Sequence, residues 1–330
     1  MVRQELYLVV TIILLPCFLM GCSGQTDTER TLASLKRLSP SAQLYEMHFF
    51  GDYGFDEYLK TGEKDAMEIS LPGLDFACSC FAAFGSEQER FFGSNFDWHD
   101  HTALVLFTDP PHGYASISMV DIAYLGYDEE RLPSDDPEDL LKAPYLPFDG
   151  MNEKGLAVSM MAIPHAEGGT DPNKITLDDL ELIRLLLDKA GNVSEALELV
   201  DDYNIDFGNV PIHYLIADVS GNSALVEFLD GKPVVMKGDR PLQVATNFLV
   251  AEEQPEGANS SCPRYNKIYS NLEEKNGKID SQQGMAMLKE VAQQGDFATR
   301  WSWVYDLAQG KAYLAFGRNY EQVYEFSLGK

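Results

Sequence analysis

From residue 74 to the C-terminus, short apolar runs follow one another across polar turns, and predicted helices interrupt them in pairs. The runs at 74–83 and 90–98 flank a polar, glycine-containing turn and predict a β-hairpin. Two helices are predicted between 176 and about 202, and two more over about 264–275 and 282–294. Strands in consecutive groups, without a helix after each one, indicate an α+β fold. We expect two antiparallel sheets packed face to face and covered by helix pairs.

The N-terminus has the pattern of an export signal. An apolar run from Tyr7 to Met20 follows Arg3 and is shorter than the roughly 20 residues that span a bilayer. It ends in Leu-Met-Gly-Cys, which looks like a bacterial lipobox and predicts lipidation of Cys22. An ordinary signal peptide with a chance cysteine is the alternative. Residues 23 to about 45 are polar and predict a linker, whereas 45–77 are rich in aromatic residues and predict a packed segment.

Composition and missing motifs exclude several classes of function. The chain has 52 acidic and 25 basic side chains, a net charge of −27, and such a surface repels a phosphate backbone, so we expect no nucleic-acid partner. It contains no Gly-x-Ser-x-Gly elbow, no His-Glu-x-x-His helix and no phosphate- or dinucleotide-binding glycine loop, so we expect neither cofactor nor metal. Two of the five cysteines lie in the leader, so no disulfide framework is indicated.

Cys78 lies at the head of the first predicted strand, behind a segment that could be removed. A thiol with a pKa of about 8.5 is only slightly ionised at neutral pH and needs a base, and no histidine is an obvious partner. The α-amino group of an N-terminal cysteine, with a reference pKa of about 7.7–8.0, adjoins the sulfur and can be that base. This chemistry requires cleavage between Ala77 and Cys78, which Cys78 itself could perform through an N-to-S acyl shift.

A series of motifs carries a family resemblance. The sequence resembles the N-terminal-nucleophile (Ntn) hydrolases of the choloylglycine hydrolase and penicillin V acylase superfamily. It is most similar to the branch related to acyl-coenzyme A:6-aminopenicillanic acid acyltransferase, which begins with a pro-segment. The resemblance covers about 74–328 and rests on the order and spacing of six motifs. They are Phe76-Ala-Cys-Ser-Cys-Phe-Ala-Ala, Phe92-Gly-Ser-Asn-Phe-Asp-Trp, Gly113-Tyr-Ala-Ser-Ile-Ser-Met, Asp149-Gly-Met-Asn-Glu-Lys-Gly-Leu-Ala-Val, His213-Tyr-Leu-Ile-Ala-Asp and Val244-Ala-Thr-Asn.

The resemblance implies an αββα four-layer sandwich, autocatalytic processing at Ala77–Cys78, and cleavage of linear, non-peptide C–N bonds in N-acyl amines or N-acyl amino acids through a thioester. Cys78 matches the nucleophile, Asp97 the carboxylate that holds the N-terminal amine, and Asn247 the amide of the oxyanion hole. Arg264 matches the arginine near the sulfur.

The sequence also departs from the pattern of the bile-salt hydrolases. Ser94 stands where these enzymes have an arginine, and Ala162 falls about where they have a pocket asparagine. Both differences argue against conjugated bile salts as the substrate, although they leave the mechanism intact.

These expectations divide the chain into a lipoprotein signal peptide (1–22), a linker and pro-segment (23–77) and an Ntn-hydrolase catalytic domain (78–330). We expect an exported protein of the bacterial cell envelope, anchored to the membrane by lipid, that takes a small N-acyl amide as substrate. If the pro-segment leaves after cleavage, the catalytic chain is released from its anchor.

Alternatives remain at three places. The same acyl-enzyme would support an acyltransferase, and a non-catalytic ligand-binding lipoprotein is the alternative from another class. Cys80 shares a strand face with Cys78 and is a core residue, a second candidate nucleophile or a metal ligand. On a strand, Asp97, His99 and His101 would share one face, as in half of a metal site. Because no second cluster of ligands stands out, we expect a solvated polar loop there instead, and a position in the wall of the substrate pocket is a further alternative for the two histidines.

Overall fold

The computed structural model describes residues 24–40, 42–63, 78–99 and 102–329. Cys22, Ala77 and His101 lie outside these ranges. The strands are β1 (Lys36–Arg37), β2 (Leu44–Phe49), β3 (Ser79–Phe84), β4 (Arg90–Asp97), β5 (Ala103–Thr108), β6 (Ser116–Asp121), β7 (Pro147–Asn152), β8 (Leu156–Ala162), β9 (Thr176–Asp178), β10 (Asn204–Asp206), β11 (Ile212–Asp218), β12 (Ser223–Leu229), β13 (Lys232–Lys237), β14 (Leu242–Thr246), β15 (Thr299–Asp306), β16 (Lys311–Phe316) and β17 (Val323–Ser327). The helices are α1 (Asp27–Ala33), α2 (Phe55–Thr61), α3 (Asp179–Lys189), α4 (Val193–Asp202), α5 (Val250–Glu253), α6 (Pro263–Glu274) and α7 (Ser281–Glu290). Short 3-10 segments at Ile122–Leu125 and Glu138–Tyr145 complete the elements.

Two large sheets form the centre of the fold. One has nine strands in the order β1-β2-β5-β6-β7-β8-β11-β12-β13, and the other has six in the order β14-β3-β4-β15-β16-β17. Strands β3 and β4 contact β8 of the larger sheet, so the sheets lie face to face. The pairing is antiparallel apart from two places, β2 with β5 and the small β9–β10 ribbon. The predicted hairpin is confirmed as β3–β4.

Helices cover both outer faces. Helices α3 and α4 pack on the nine-stranded sheet, and α6 and α7 pack on the six-stranded sheet. Helix α3 begins two residues later than the sequence pattern predicts, because Asp178 caps it in a capping box with Glu181 and Thr176 belongs to β9. Four layers in the order helix, sheet, sheet, helix result, and the predicted αββα sandwich of the Ntn-hydrolase type is confirmed.

The prediction of a linker over 23 to about 45 is wrong for its described part. Residues 27–33 form α1, whose N-terminus is closed by a capping box between Thr26 and Glu29, and β1 and β2 follow. Strand β2 pairs in parallel with β5, so the segment extends the nine-stranded sheet. The expected packing of the aromatic part is confirmed for Tyr45, Phe55 and Tyr58, which are at most 3% exposed. The polarity of the segment did not reveal this strand, because its pairing partner β5 lies almost 60 residues further along the chain.

Within the described residues, no helix combines the length and the apolar character needed to cross a bilayer.

Candidate active site

Three strands of the smaller sheet meet at Cys78. This residue directly precedes β3, and the register pairs Ser79 with Asn95 of β4 and with Thr246 of β14. Asp97 is the last residue of β4, and Asn247 directly follows β14. Both residues therefore lie at the same edge of the sheet as Cys78. Hydrogen-bonded register therefore unites residues that are far apart in sequence.

The guanidinium of Arg264 joins these groups. Its Nη1 donates to the Cys78 carbonyl oxygen at 2.5 Å and to Ser79 Oγ at 2.7 Å, and its Nη2 donates to Asn247 Oδ1 at 2.8 Å. Nη1 also lies 3.9 Å from Asp97 Oδ2. Arg264 is in the first turn of α6, and this helix packs on β14 and β3. The packing of α6 on the sheet therefore sets the position of the guanidinium group. The structure thus brings together all four catalytic candidates of the sequence.

Asp97 is completely buried. Thr299 Oγ1 donates to its Oδ1 at 2.5 Å, while Oδ2 receives no hydrogen bond from the described part of the chain. Burial raises the pKa of the Asp97 carboxyl to about 7, against the Thr299 hydrogen bond and the charges of Arg264 and Arg300, which lower it. Apart from its long ion pair with Arg264, this buried carboxyl oxygen accepts no hydrogen bond within the described residues, so it is suited to receive a further cation or to accept a proton.

The Cys78 thiol is held in its neutral form. Cys78 is 4% exposed, and burial, followed by the Asp97 charge, raises the pKa of the thiol to about 12. Backbone hydrogen bonds from Asp97 and Ala162 and the charge of Arg264 act in the opposite direction. In the uncut chain this sulfur needs a base before it can act as a nucleophile.

The side-chain amide of Asn247 is fixed at both ends. Its oxygen accepts from Arg264, and its Nδ2 donates to the Ala162 carbonyl at 2.8 Å. An amide nitrogen carries two protons, so the second remains to be donated to a ligand. The orientation places this donor between β14 and the end of β8.

Sequence reasoning missed Glu227, which holds the backbone just after Asn247. Its Oε1 accepts from Val250 N at 2.7 Å and its Oε2 from Ala251 N at 3.1 Å, and these are the free N–H groups at the start of α5. His213 Nδ1 lies 3.1 Å from Oε1, and both side chains are fully buried. A glutamate within the apolar run of β12 was the available signal.

A cavity opens beside Cys78, and we call it the Cys78 pocket. Its cavity volume is about 20 Å³. The walls are mainly apolar and aromatic: Phe96, Trp98, Phe148, Met160, Ala162, Leu180, Val210 and Ile212 line it. Tyr124 and Asp179 add polar groups. The position and lining suit an apolar group attached to a carbonyl carbon at the sulfur.

The structure also bears on the alternatives. Cys80 is fully buried in the core between the sheets. The ring of His99 lies 4.6 Å from the Phe297 ring, and within the described ranges no three histidine, cysteine, aspartate or glutamate side chains are grouped to hold a metal. Ser94 Oγ lies 3.4 Å from Asp149 Oδ2 in a buried network.

Known proteins of similar fold share this architecture. Penicillin V acylase from Agrobacterium tumefaciens aligns with a TM-score of 0.56 at 18% identity, covering 76% of this chain and 86% of that one. A variant of conjugated bile acid hydrolase from Clostridium perfringens aligns with a TM-score of 0.58 at 17% identity, covering 76% and 92%. These likenesses show that the chain has the fold of the Ntn hydrolases.

Sequence comparison narrows the assignment. The sequence model of the acyl-coenzyme A:6-aminopenicillanic acid acyl-transferase family matches residues 147–321, more than half of the chain. The chain belongs to this family. An uncharacterised protein of Paramecium bursaria Chlorella virus 1 is 27% identical over 130 residues, which are 37% of this chain and 46% of that protein. The matched region thus spans about half the length of that curated relative.

Proposed function

We propose that the protein is a self-processing cysteine hydrolase of N-acyl amines or N-acyl amino acids, with Cys78 as nucleophile. The observation that carries this proposal is the convergence of Cys78, Asp97 and Asn247 on the guanidinium of Arg264. A nucleophile, a buried acid and an amide donor beside an apolar pocket form the set that acyl transfer requires. Membership of the family makes this set the natural site for that chemistry.

Self-cleavage is the first step. The Cys78 sulfur attacks the Ala77 carbonyl carbon, the C–N bond breaks, and the Cys78 nitrogen takes up a proton. The resulting thioester is hydrolysed by water to the Ala77 carboxylate and the free thiol. Because burial holds the pKa of Asp97 at about 7, its Oδ2, which accepts no hydrogen bond from the described residues, can take up the thiol proton near neutral pH. Asp97 thereby supplies the base that the uncut chain otherwise lacks.

The new α-amine then replaces Asp97 as the base. Once formed, its ammonium form pairs with Asp97 Oδ2, and the opposite charge lowers the pKa of the carboxyl again. In each turnover the amine takes the thiol proton, the sulfur attacks the substrate carbonyl, and Asn247 Nδ2 donates to the oxyanion. The ammonium protonates the leaving amine, and water hydrolyses the thioester. If an amine replaces water, the same intermediate gives acyl transfer.

The mainly apolar lining of the pocket suits an acyl group that is largely apolar or aromatic, and two differences argue against a bile acid. Ala162 offers no polar group, and Ser94 is bound within the Asp149 network. We further propose that the protein is exported and lipid-anchored at Cys22. Acyl-coenzyme A is absent outside the cytosol, so water is the expected acceptor of the acyl group.

The acyl-enzyme tests the proposal directly. Purified protein is mixed with an N-phenylacetyl or N-acyl p-nitroanilide, quenched in acid and digested, and the peptide that begins at Cys78 is analysed by mass. An acyl adduct on Cys78 is expected, and Cys80→Ala should retain it whereas Cys78→Ala should lose it. An adduct on another residue, or turnover by Cys78→Ala, would refute the assignment. Adding an amine acceptor measures the balance between hydrolysis and transfer.

A further inference from the structure

The Cys78 pocket contains an acidic side chain that the proposed mechanism does not use. Asp179 lines this cavity, and only 8% of the residue is exposed. The neighbouring walls are mainly apolar. A carboxyl group in such surroundings is costly unless a hydrogen-bonding partner meets it.

The fold does not supply that partner fully. Among the described residues, the Asp179 carboxyl accepts hydrogen bonds only from local backbone N–H groups, those of Leu180, at 3.0 Å from Oδ1, and of Asp179 itself, and it forms no ion pair. Asp178, not Asp179, caps helix α3, because its Oδ1 accepts from the N–H groups of Leu180 and Glu181. Asp179 is therefore not needed as a cap, and its remaining hydrogen-bonding capacity is available to a ligand in the pocket.

A second polar group lies close to Asp179. Tyr124 lines the same cavity, and its pKa is raised by burial and by the nearby carboxyls of Asp121 and Asp179. Burial and the carboxyl of Asp178 likewise raise the pKa of Asp179 well above its usual value. A buried carboxyl without an ion pair favours its neutral form, which offers an O–H donor and an acceptor oxygen, and the Tyr124 hydroxyl, which is hydrogen-bonded to Trp98, lies on the same wall. They form one polar corner in an otherwise apolar pocket.

We propose that Asp179 and Tyr124 form a specificity site for acyl groups that carry a hydroxyl along the acyl chain. This inference rests on the proposed function, because it names the acyl group that Cys78 takes. A hydroxyl can accept from and donate to the protonated carboxyl, whereas an alkyl group at the same place leaves buried polar atoms unpaired. Sites built to bind a hydroxyl discriminate strongly against analogues that lack it.

A matched series of substrates tests the inference. The processed enzyme is assayed with acyl p-nitroanilides of equal heavy-atom length, over several lengths, whose chains end in a methyl, a hydroxyl or an ammonium group. At the best length we expect kcat/KM for the hydroxyl compound to exceed that for the methyl compound about tenfold or more. Asp179→Leu should reverse this preference, while Asp179→Asn should keep much of it. Glu198→Leu, which removes an exposed helix carboxylate, should change nothing.

The outcomes separate this inference from the proposed function. A methyl preference at every length, or a hydroxyl preference that survives in Asp179→Leu, overturns the inference but leaves the hydrolase intact. An ammonium preference also overturns it, since Asp179 would then be ionised. Binding of the same compounds to uncut Cys78→Ala, measured by calorimetry, reports the preference without turnover. If Cys78→Ala prefers the hydroxyl compounds and the wild type cleaves none, the proposed function fails and the pocket preference stands. Thermal melting of Asp179→Leu and Asp179→Asn shows whether each variant is folded.

Discussion

After self-cleavage, the segment 24–63 should stay bound to the catalytic chain. Its strand β2 forms a six-residue parallel ladder with β5, and Tyr53 and Tyr58 donate to Asp188 and Glu181 at 2.5 and 2.8 Å. Six large apolar or aromatic side chains of the segment are at most 8% exposed: Leu44, Tyr45, Met47, Phe49, Phe55 and Tyr58. At about 1.5–3 kcal/mol each, their burial contributes roughly 9–18 kcal/mol before association costs. About 8 kcal/mol holds two fragments together at micromolar concentration.

Phe55→Ala is the sharpest perturbation of this contact. Phe55 is 1% exposed and packs edge-on against the Tyr145 ring at 5.6 Å. Removing such a ring costs about 3–5 kcal/mol, which corresponds to an affinity of the cleaved segment that is weaker by about two to three and a half decades. Lys60→Ala in the same helix is the control, because the Lys60–Glu57 ion pair is 71% exposed on both sides and contributes little.

Size-exclusion chromatography with denaturing gels of each fraction reads out the contact. We predict that the wild type and Lys60→Ala elute with both fragments together, and that Phe55→Ala loses the small fragment on dilution. Elution of the wild-type catalytic chain alone would refute the reasoning and would mean that the sheet is complete without β2.

Three further predictions concern the site itself. Asn247→Ala should lower kcat about 10²–10³-fold with KM little changed, if its amide donates to the oxyanion; an unchanged kcat in steady-state assays would remove that role. Glu227→Leu frees the backbone after Asn247, and it should lower kcat about tenfold at similar KM, with partial rescue by Glu227→Gln; equal loss in both variants in that assay would contradict positioning by hydrogen bonds. In uncut Cys78→Ala, the pKa of Asp97 is raised, so the carboxyl keeps its proton up to a higher pH in the native state than in the unfolded chain. The free energy of unfolding should fall by up to roughly 4 kcal/mol between about pH 4 and 7, and Asp97→Asn should flatten the fall in urea titrations.

Much of the fold could be predicted because its signals are local. Grouped strands with paired helices indicated the layered α+β sandwich, and the hairpin predicted from the two apolar runs around a polar turn is confirmed as β3–β4. The order of β2 in the sheet could not be predicted, because parallel pairing with β5 leaves no mark on the sequence of either strand.

Part of the candidate site could also be predicted, because several of its residues lie in local sequence motifs. Cys78, Asp97 and Asn247 stand in recognisable motifs, whereas Thr299 contacts Asp97 across a bulge between Thr299 and Trp301 that shifts the β4–β15 register. Glu227 acts through backbone atoms of a distant loop, and the polar corner of the pocket depends on where α3 docks. Such contacts follow from tertiary packing and not from spacing along the chain.

The mass of the folded chain tests the central claim most directly. Denaturing intact-mass analysis of purified wild-type protein should show a fragment that begins with Cys78, and Cys78→Ala should remain uncut. Cys80→Ala should be processed like the wild type. A folded wild-type protein that stays full length, or cleavage of Cys78→Ala at the same bond, would contradict the mechanism.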